Sequence, residues 1–292
     1  MKEIAIISGK GGTGKTSITA SLAYLAKDKA IVADCDVDAA DMHLLFAPDF
    51  ANASKFYSGK MAKVNPELCI GCDKCKSICR FDAIAVNASA YQINEMNCEG
   101  CGYCATICPV DAITMNDSLT GELYISTTRL NNVLVHAELN IGAENSGKLV
   151  SKVRKVAKQL AVNNEIPYVI IDGTPGIGCP VIASITGVSY VVVVTEPTIS
   201  GVHDLYRVYQ LIERFGIKSG CIINKSDLNE DMTEKIKTYL NENNIDLISE
   251  LPYDNIFTEA ITSGKTVVEF DEGGVIESKL IDCWAMIQQN VN

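Results

Sequence analysis

The sequence predicts an α/β protein with a doubly wound, mostly parallel sheet, interrupted by an inserted α+β domain. Strand-like and helix-like segments alternate from residue 2 to 41, and the alternation resumes from about residue 134 to the end. This pattern is typical of a parallel sheet with helices on both faces. The intervening segment carries two runs of closely spaced cysteines instead. We therefore expect one discontinuous domain, residues 1–55 and 119–292, and an insert at residues 56–118.

Composition narrows the class of protein. The formal net charge of −11 disfavours nonspecific binding to nucleic acid or anionic lipid, because both depend on clustered lysine and arginine. No apolar stretch approaches the ~20 residues that span a bilayer, and the N-terminus lacks the layout of a signal peptide. Twelve cysteines without an export signal suggest a reducing compartment. We expect a soluble, cytoplasmic protein with no nucleic-acid partner and no membrane partner.

A glycine-rich loop follows the first predicted strand. The apolar segment Ile4–Ile7 runs into G-K-G-G-T-G-K-T, which is followed by an amphipathic stretch ending near Ala26. This order, with the pattern G-x4-G-K-[ST], is typical of a phosphate-binding loop. In such a loop backbone N–H groups surround phosphate oxygens, Lys15 reaches the β- and γ-phosphates, and Thr16 offers a hydroxyl to Mg²⁺. The predicted nucleotide-binding residues of the loop are Gly9, Lys10, Gly11, Gly12, Thr13, Gly14, Lys15, Thr16 and Ser17.

The two cysteine runs of the insert form an internal repeat. Each has the spacing C-x2-C-x2-C-x3-C, and each cysteine of the first run has a counterpart 29 residues later. Three closely spaced thiolates and a remote fourth are the usual ligands of a [4Fe-4S] cluster, so two runs predict two clusters. Tetrahedral zinc also uses C-x2-C pairs, but eight cysteines in a four-plus-four repeat fit zinc poorly.

This repeat resembles the bacterial two-cluster ferredoxins. In that family the fourth cysteine of each run serves the other cluster. The resemblance therefore implies one ligand set of Cys69, Cys72, Cys75 and Cys108 and a second set of Cys98, Cys101, Cys104 and Cys79. Arg80 stands where the family usually has proline, which leaves both ligand sets intact.

The loop and later segments resemble the deviant Walker A ATPases of the MinD, ParA and nitrogenase iron protein superfamily. There the lysine matching Lys10 reaches across a dimer to the partner's nucleotide, whereas without the family it would be a solvated surface charge. The segment from Asp34 to Asp41 resembles the first switch. The resemblance implies that Asp36 positions the attacking water and that Asp34 lies near Mg²⁺. Asp172 ends a buried strand in the Walker B position and would hold Mg²⁺ through water.

Two further positions resemble the nucleotide-base contacts of that superfamily. Asn224, at the end of a predicted strand, matches the adenine contact. Pro252 matches a loop on the base and ribose side. Both short motifs also occur in ordinary loops, so these assignments depend on the resemblance.

Some cysteines lie outside the insert. Because a lone cysteine is by default a small buried apolar residue, we expect Cys221 and Cys283 to serve in packing. Cys179 directly follows a segment that resembles the second switch, Gly173–Gly178. A packing role and a bridging metal site between two copies of the chain are both open for Cys179.

Over essentially the whole chain, the sequence resembles MinD-superfamily ATPases with an inserted ferredoxin domain. This implies a slow ATPase that uses ATP, Mg²⁺ and two [4Fe-4S] clusters and forms an ATP-dependent homodimer. It would assemble, deliver or reductively activate a metal cofactor on an unidentified client metalloprotein or redox partner. The alternatives are an iron-sulfur scaffold whose clusters are cargo and a MinD- or ParA-like positioning ATPase. Residues 277–292, with one lysine, suit a packed last helix better than a membrane-surface helix.

Overall fold

The computed structural model describes residues 1–87, 90–143 and 147–291. The chain divides into two compact units. The large unit comprises Met1–Ser54, Leu123–Leu139 and Asn145–Asn292, and the small unit comprises Lys55–Glu122 and Asn140–Glu144. Residues 88 and 89 of the predicted ferredoxin insert lie outside the described part of the chain.

The described strands form one large sheet and one two-stranded sheet. They are β1 (Lys2–Ser8), β2 (Ala30–Asp34), β3 (Ser54–Val64), β4 (Ile84–Asn87), β5 (Ala90–Ile93), β6 (Ile113–Thr127), β7 (Val133–Leu139), β8 (Tyr168–Asp172), β9 (Tyr190–Thr195), β10 (Ser219–Asn224) and β11 (Asp246–Leu251). The large sheet has the order β11-β10-β9-β1-β8-β2-β7-β6-β3, and its strands from β11 to β7 pair in parallel. The prediction of a mostly parallel α/β sheet is confirmed.

Helices of the large unit cover both faces of this sheet. The described helices are α1 (Lys15–Ala26), α2 (Met42–Phe46), α3 (Lys74–Ile78), α4 (Tyr103–Thr106), α5 (Lys148–Asn163), α6 (Cys179–Ile185), α7 (Ile199–Arg214), α8 (Glu230–Glu242), α9 (Ile256–Thr262), α10 (Val267–Phe270) and α11 (Val275–Val291). Of these, α3 and α4 belong to the small unit. Ile4 and Ile6 of β1 share a core cluster with residues of α1 and α11. Ile7 faces the other way and lies with Ser184 of α6 against Gly173. A strand buried on both faces explains why β1 is continuously apolar.

The last helix, α11, packs into the core of the large unit. Its buried residues recur at helical spacing and are Ile276, Leu280, Cys283, Trp284, Ile287 and Val291. The Trp284 ring lies edge-on to Tyr168 of β8, with ring centroids 5.3 Å apart. The prediction of a packed last helix is confirmed. No helix in the described part of the chain has the length and apolar character needed to cross a bilayer.

The small unit repeats its backbone conformation every 29 residues. Positive φ angles pair as 70° and 62° at Gly71 and Gly100, 63° and 77° at Asp73 and Gly102, and 49° and 52° at Asp82 and Asp111. The short helix α3 begins directly after Asp73, and α4 begins directly after Gly102. The internal repeat seen in the sequence is therefore also a repeat of local structure.

Two backbone hydrogen bonds join the halves of this repeat reciprocally. Asn65 N–H donates to Ala112 O at 2.7 Å, and Asn94 N–H donates to Ala83 O at 2.7 Å. Asn94 is the repeat counterpart of Asn65, and Ala112 is the counterpart of Ala83. The first half therefore donates in one bond and accepts in the other. The two halves therefore pair as a self-complementary interface does in a two-fold dimer. The identity of this unit as a ferredoxin stays a prediction.

Substitution of Ile170, a fully buried residue at the centre of β8, is expected to destabilise the large unit. Ile170→Ala should lower its free energy of unfolding by about 2–5 kcal/mol, because the shortened side chain leaves a cavity. Urea unfolding followed by Trp284 fluorescence measures this loss, since the only tryptophan lies in this unit. Ile199→Ala, at a residue 78% exposed, is the control and should change stability by less than about 0.5 kcal/mol. Equal losses in the two variants would contradict this account of the core.

Candidate functional site

The loop between β1 and α1 carries the predicted phosphate-binding residues. Gly12 and Gly14 have φ angles of 79° and 87°, which favour glycine. A Cβ at residue 14 would also come within 2.5 Å of Asn224 Nδ2. That Nδ2 donates to Thr13 O at 2.8 Å, so Asn224 braces the loop. The loop backbone and the N-terminus of α1 together offer oriented N–H groups to an anion.

Lys15 lies at the centre of a buried charged cluster. Its Nζ is 2.8 Å from Asp172 Oδ1 and 3.2 Å from Asp36 Oδ2. Thr16 Oγ1 donates to Asp172 Oδ2 at 2.8 Å. Asp34 and Asp172 are register partners at the ends of the parallel strands β2 and β8, which explains why they meet. The structure thus brings the three predicted Mg²⁺ ligands together with Lys15 and Asp36, which were predicted to be catalytic.

The carboxylates of this cluster outnumber its cations. Burial raises the pKa of Asp34 well above its ordinary value, and Asp172 adds to the rise, although Lys15 acts in the opposite direction. Burial likewise raises the pKa of Asp36 against the effect of Lys15. Burial acts to lower the pKa of Lys15, but Asp172 and Asp36 outweigh it and raise that pKa. A divalent cation with oxygen ligands would neutralise the surplus negative charge.

Lys10 is bound within its own chain. Its Nζ lies 2.6 Å from Glu196 Oε1 and donates to two hydroxyl groups near the start of α7, at 3.0 Å each. Lys225 Nζ lies 2.8 Å from the other Glu196 oxygen and donates to Gly12 O at 3.0 Å. Burial acts to raise the pKa of Glu196, but hydrogen bonds from the two lysines lower it overall.

Glu196 and Lys225 were not predicted from the sequence. Their one sequence signal is position, because each directly follows the carboxyl end of a parallel strand, β9 or β10. Ligand-binding residues of open α/β sheets gather at that edge. Without the strand order, nothing indicates that these two side chains meet at the loop.

Pro252 lies at the same edge of the sheet. It follows Leu251, the register partner of Asn224. The next residue, Tyr253, is 51% exposed, and its N–H donates to Asp227 Oδ1 at 2.6 Å. The structure therefore brings the Pro252 loop near the end of β10, while the base-contact roles of Asn224 and Pro252 stay predictions.

Two cavities in the small unit are lined by cysteines from both runs. The larger cavity, about 460 Å³, is lined by Cys79, Cys98, Cys101 and Cys104. The smaller cavity, about 20 Å³, is lined by Cys69, Cys72, Cys75 and Cys108. In each cavity three thiols come from one run and the fourth comes from the other run.

The thiols of each run also influence one another electrostatically. Burial raises the pKa of Cys75, and the neighbouring thiols of Cys69 and Cys72 add to the rise. Burial raises the pKa of Cys104 in the same way, with additions from the two preceding cysteines of its own run. Grouped thiols of this kind disfavour several free thiolates at once, and a bound cation would relieve that repulsion.

The described residues contain no group of three or more His, Cys, Asp or Glu side chains arranged to hold a metal ion. A single tetrahedral ion needs its sulfur ligands about 2.3 Å away. A four-iron cluster takes its four thiolates on separate irons, so they need not converge in this way. The cysteine sets fit such a cluster in ligand type and number, although the smaller cavity would have to open to accept it.

The cysteines outside the small unit fall into two groups. Cys221 and Cys283 are fully buried, and burial raises their pKa values to about 12 and about 11, so the prediction of a packing role is confirmed. Cys35 is buried as well. Cys179 is exposed, so a packing role for it was wrong. Cys179 is exposed because it is the first residue of α6, and the buried residues of this helix begin only at Val181.

Comparison with known proteins gives a family match over most of the chain. Residues 4–267 match the family described as CbiA: CobQ/CobB/MinD/ParA nucleotide binding domain. An uncharacterized protein of Methanocaldococcus jannaschii, MJ0578, is 39% identical over 229 residues, which cover 78% of this chain and 79% of that protein. A second protein of that organism, MJ0579, is 24% identical over 283 residues, 93% of each chain.

Solved structures show the same fold. The septum site-determining protein MinD from Pyrococcus horikoshii, complexed with Mg-ADP, superposes with a TM-score of 0.60 at 17% identity, covering 99% of this chain and 96% of that chain. An ATP complex of McdA from Cyanothece gives a TM-score of 0.57 at 16% identity, covering 100% of this chain and 96% of that one. At these identities the likeness concerns the fold alone.

Asp34→Asn is expected to stabilise the protein in the absence of nucleotide and Mg²⁺. In the unfolded chain the Asp34 carboxyl ionises at a pH near 3.9. In the folded protein its pKa is raised, so Asp34 stays protonated to a higher pH. Ionisation therefore favours unfolding increasingly as pH rises from about 4 toward the raised pKa of Asp34, by at most about 1.4 kcal/mol per pH unit. Asparagine avoids this cost, so unfolding midpoints measured from pH 4 to 7 should diverge in favour of the variant.

Asp28→Asn, at an exposed position, is the matched control and should leave the pH profile unchanged. A wild-type stability that rises with pH relative to Asp34→Asn would contradict the raised pKa.

Proposed function

Because the chain belongs to the CobQ/CobB/MinD/ParA nucleotide binding domain family, we propose that it is an ATPase acting on metal cofactors. In this proposal, ATP-driven dimer rearrangement is coupled to the assembly, delivery or reductive activation of a metal cofactor on a client protein. Proteins of the family generally hydrolyse ATP. The observation that carries the proposal is that two cavities, each lined by four cysteines, occur in a chain with a phosphate-binding loop.

The buried cluster around Lys15 supports the nucleotide half of the proposal. Thr16, Asp34 and Asp172 would hold Mg²⁺, directly or through water, and Mg²⁺ supplies positive charge to the β- and γ-phosphates. Lys15 would exchange its carboxylate partners for phosphate oxygens. Asp36, next to Lys15 and 6% exposed, would accept a hydrogen bond from the attacking water and orient it.

The thiol-lined cavities support the metal half. One set, Cys98, Cys101 and Cys104 with Cys79, surrounds a space of about 460 Å³. The reciprocal backbone pairing of the two repeats makes the crossed origin of the fourth cysteine a property of both sites. Two [4Fe-4S] clusters in these sites would supply one-electron chemistry.

The order of the chain supports coupling between the nucleotide site and the cysteine-lined cavities. The small unit begins at Lys55, shortly after the segment that resembles the first switch, and the chain returns to the large unit at Leu123. A change of the first switch with nucleotide state would therefore be transmitted to the start of the cysteine-bearing segment through few residues.

The two other functions differ from this proposal in what they require. A scaffold would release its clusters to acceptor proteins, whereas an electron-transfer ATPase would keep them through many turnovers. A positioning ATPase gains support from the likeness to MinD, but that likeness concerns the fold. Cluster retention after incubation with an apo-protein acceptor separates the first two functions.

Iron content tests the metal half and the crossed ligand sets together. Protein isolated without oxygen is expected to contain about eight irons per chain. Cys79→Ser combined with Cys101→Ser damages one site twice and should leave about four irons. Cys79→Ser combined with Cys72→Ser damages both sites and should leave little iron. Iron analysis and electron paramagnetic resonance of the reduced protein give the measurement.

Cys283→Ala serves as the control for iron content, because Cys283 is buried in the large unit and belongs to neither cysteine set. If each run held its own cluster, the two double variants would exchange their results. Zinc in place of iron would remove the cluster assignment altogether.

Lys10 tests the dimer mechanism. In an Asp36→Asn background, which should bind ATP without hydrolysing it, sedimentation with ATP is expected to show a dimer. Adding Lys10→Ala should return most of the protein to monomer, because the partner's γ-phosphate loses its cation. Lys15→Ala should abolish nucleotide binding itself. The control Lys29→Ala changes an exposed lysine and should leave the dimer intact.

If the ATP-bound dimer forms equally well with Lys10→Ala, Lys10 has no role across the dimer and only contacts groups such as Glu196 in its own chain. Hydrolysis unchanged by Asp36→Asn would remove Asp36 from the catalytic role.

A further inference from the structure

A groove between α5 and α6 of the large unit has no part in the function proposed above. Its volume is about 620 Å³, within the roughly 300–1,000 Å³ of small-molecule sites. The helices approach closely because residue 147 is a glycine with φ of 83°, where a Cβ would lie 3.0 Å from Cys179 O. The residues of this α5–α6 groove that matter here are Glu3, Lys148, Arg154, Lys155, Lys158 and Cys179.

The α5–α6 groove concentrates positive charge in an acidic protein. Its described lining has four cations, Lys148, Arg154, Lys155 and Lys158, and one carboxylate, Glu3. Helix α5 contains five basic and no acidic residues in 16 positions. The whole chain, in contrast, has 25 basic and 36 acidic residues. Clefts lined by one sign of charge focus the electric field and attract the opposite charge.

The floor of the groove contains ion pairs to the buried carboxylate of Glu3. Glu3, 4% exposed, accepts from Arg154 Nη2 at 3.0 Å and from Lys158 Nζ at 2.7 Å. Arg154 Nη1 donates to two carbonyl oxygens at the end of α6, at 2.6 Å and 3.0 Å. Arg154 Nε–H is buried without an acceptor among the described residues. Glu3 is therefore already paired, and its charge does not offset the outer lysines.

The outer lysines are available to a ligand. Lys148 and Lys155 are exposed. Neither takes part in any of the ion pairs formed among the described residues. Since Lys148 is the first residue of α5, the positive end of the helix dipole adds to its charge. The groove thus combines two cations bound to Glu3 with two exposed lysines that form no ion pair with the other described residues.

We propose that the α5–α6 groove binds a small molecule that carries two or more carboxylate or phosphate groups. A duplex nucleic acid or an anionic membrane would need a broad basic face, and the net charge of −11 opposes both. A small multivalent anion matches the size of the open groove and its local charge. Its occupancy would contact Cys179 at the start of α6, directly after the segment that resembles the second switch.

The test uses the whole chain with Lys15→Ala, a change expected to abolish phosphate binding at the loop. Titration calorimetry with inorganic tripolyphosphate and with citrate should show binding of one anion per chain for at least one of the two probes. Lys148→Gln combined with Lys155→Gln should weaken that binding about tenfold. The matched control, Lys29→Gln combined with Lys235→Gln, removes two exposed lysines elsewhere and should change it less than about twofold, because distant surface charges are screened.

Tripolyphosphate binding alone would indicate a phosphate ligand, and citrate binding alone a carboxylate ligand; both support the site. Absence of saturable binding by either probe would overturn the proposal, as would equal losses in the groove and control variants. Binding of duplex DNA or phosphatidylglycerol vesicles, lost in the groove variant, with no binding of the small anions would also overturn it. Urea unfolding should confirm that both variants remain folded. None of these outcomes depends on cluster content.

Discussion

The ion pair between Lys15 and Asp172 is the contact on which the arrangement of the large unit's site depends. It joins the start of α1 to the end of β8 at 2.8 Å between two buried side chains. The neighbouring backbone repeats the connection, since Cys35 N–H donates to Asp172 O and Gly173 N–H donates to Ile6 O. A buried pair of this kind is costly when one partner is lost, and these contacts join the loop to the two segments that resemble switches.

The same pair indicates how a bound phosphate would change the structure. Lys15 lies between Asp172 and Asp36, and burial raises the pKa of the neighbouring Asp34 well above its ordinary value. A phosphate that bound Lys15 would leave Asp172 and its neighbours without that cation. Under the proposed function, nucleotide and Mg²⁺ would therefore replace contacts that join β8, β2 and the loop.

Much of this could be predicted from sequence, where local pattern determines the outcome. The loop spacing placed Lys15, the apolar run before Asp172 indicated a strand end, and the resemblance to two-cluster ferredoxins implied the crossed cysteines. Glu196 and Lys225 could not be predicted, because their meeting depends on strand order and not on any nearby residue. The exposure of Cys179 could not be predicted either, since no local pattern distinguishes the exposed first turn of a helix from its buried remainder.

The reciprocal pairing of Asn65 with Ala112 and of Asn94 with Ala83 makes the two repeats mutually dependent. Neither half keeps its own hydrogen-bond partner or a complete set of four thiols without the other. If a duplication created the second half, the crossed cavities required two paired copies, either as two chains or as one tandem chain. The small unit thus resembles a two-fold dimer joined in one polypeptide, and matched positions in its halves carry different residues, as Arg80 and Pro109 do.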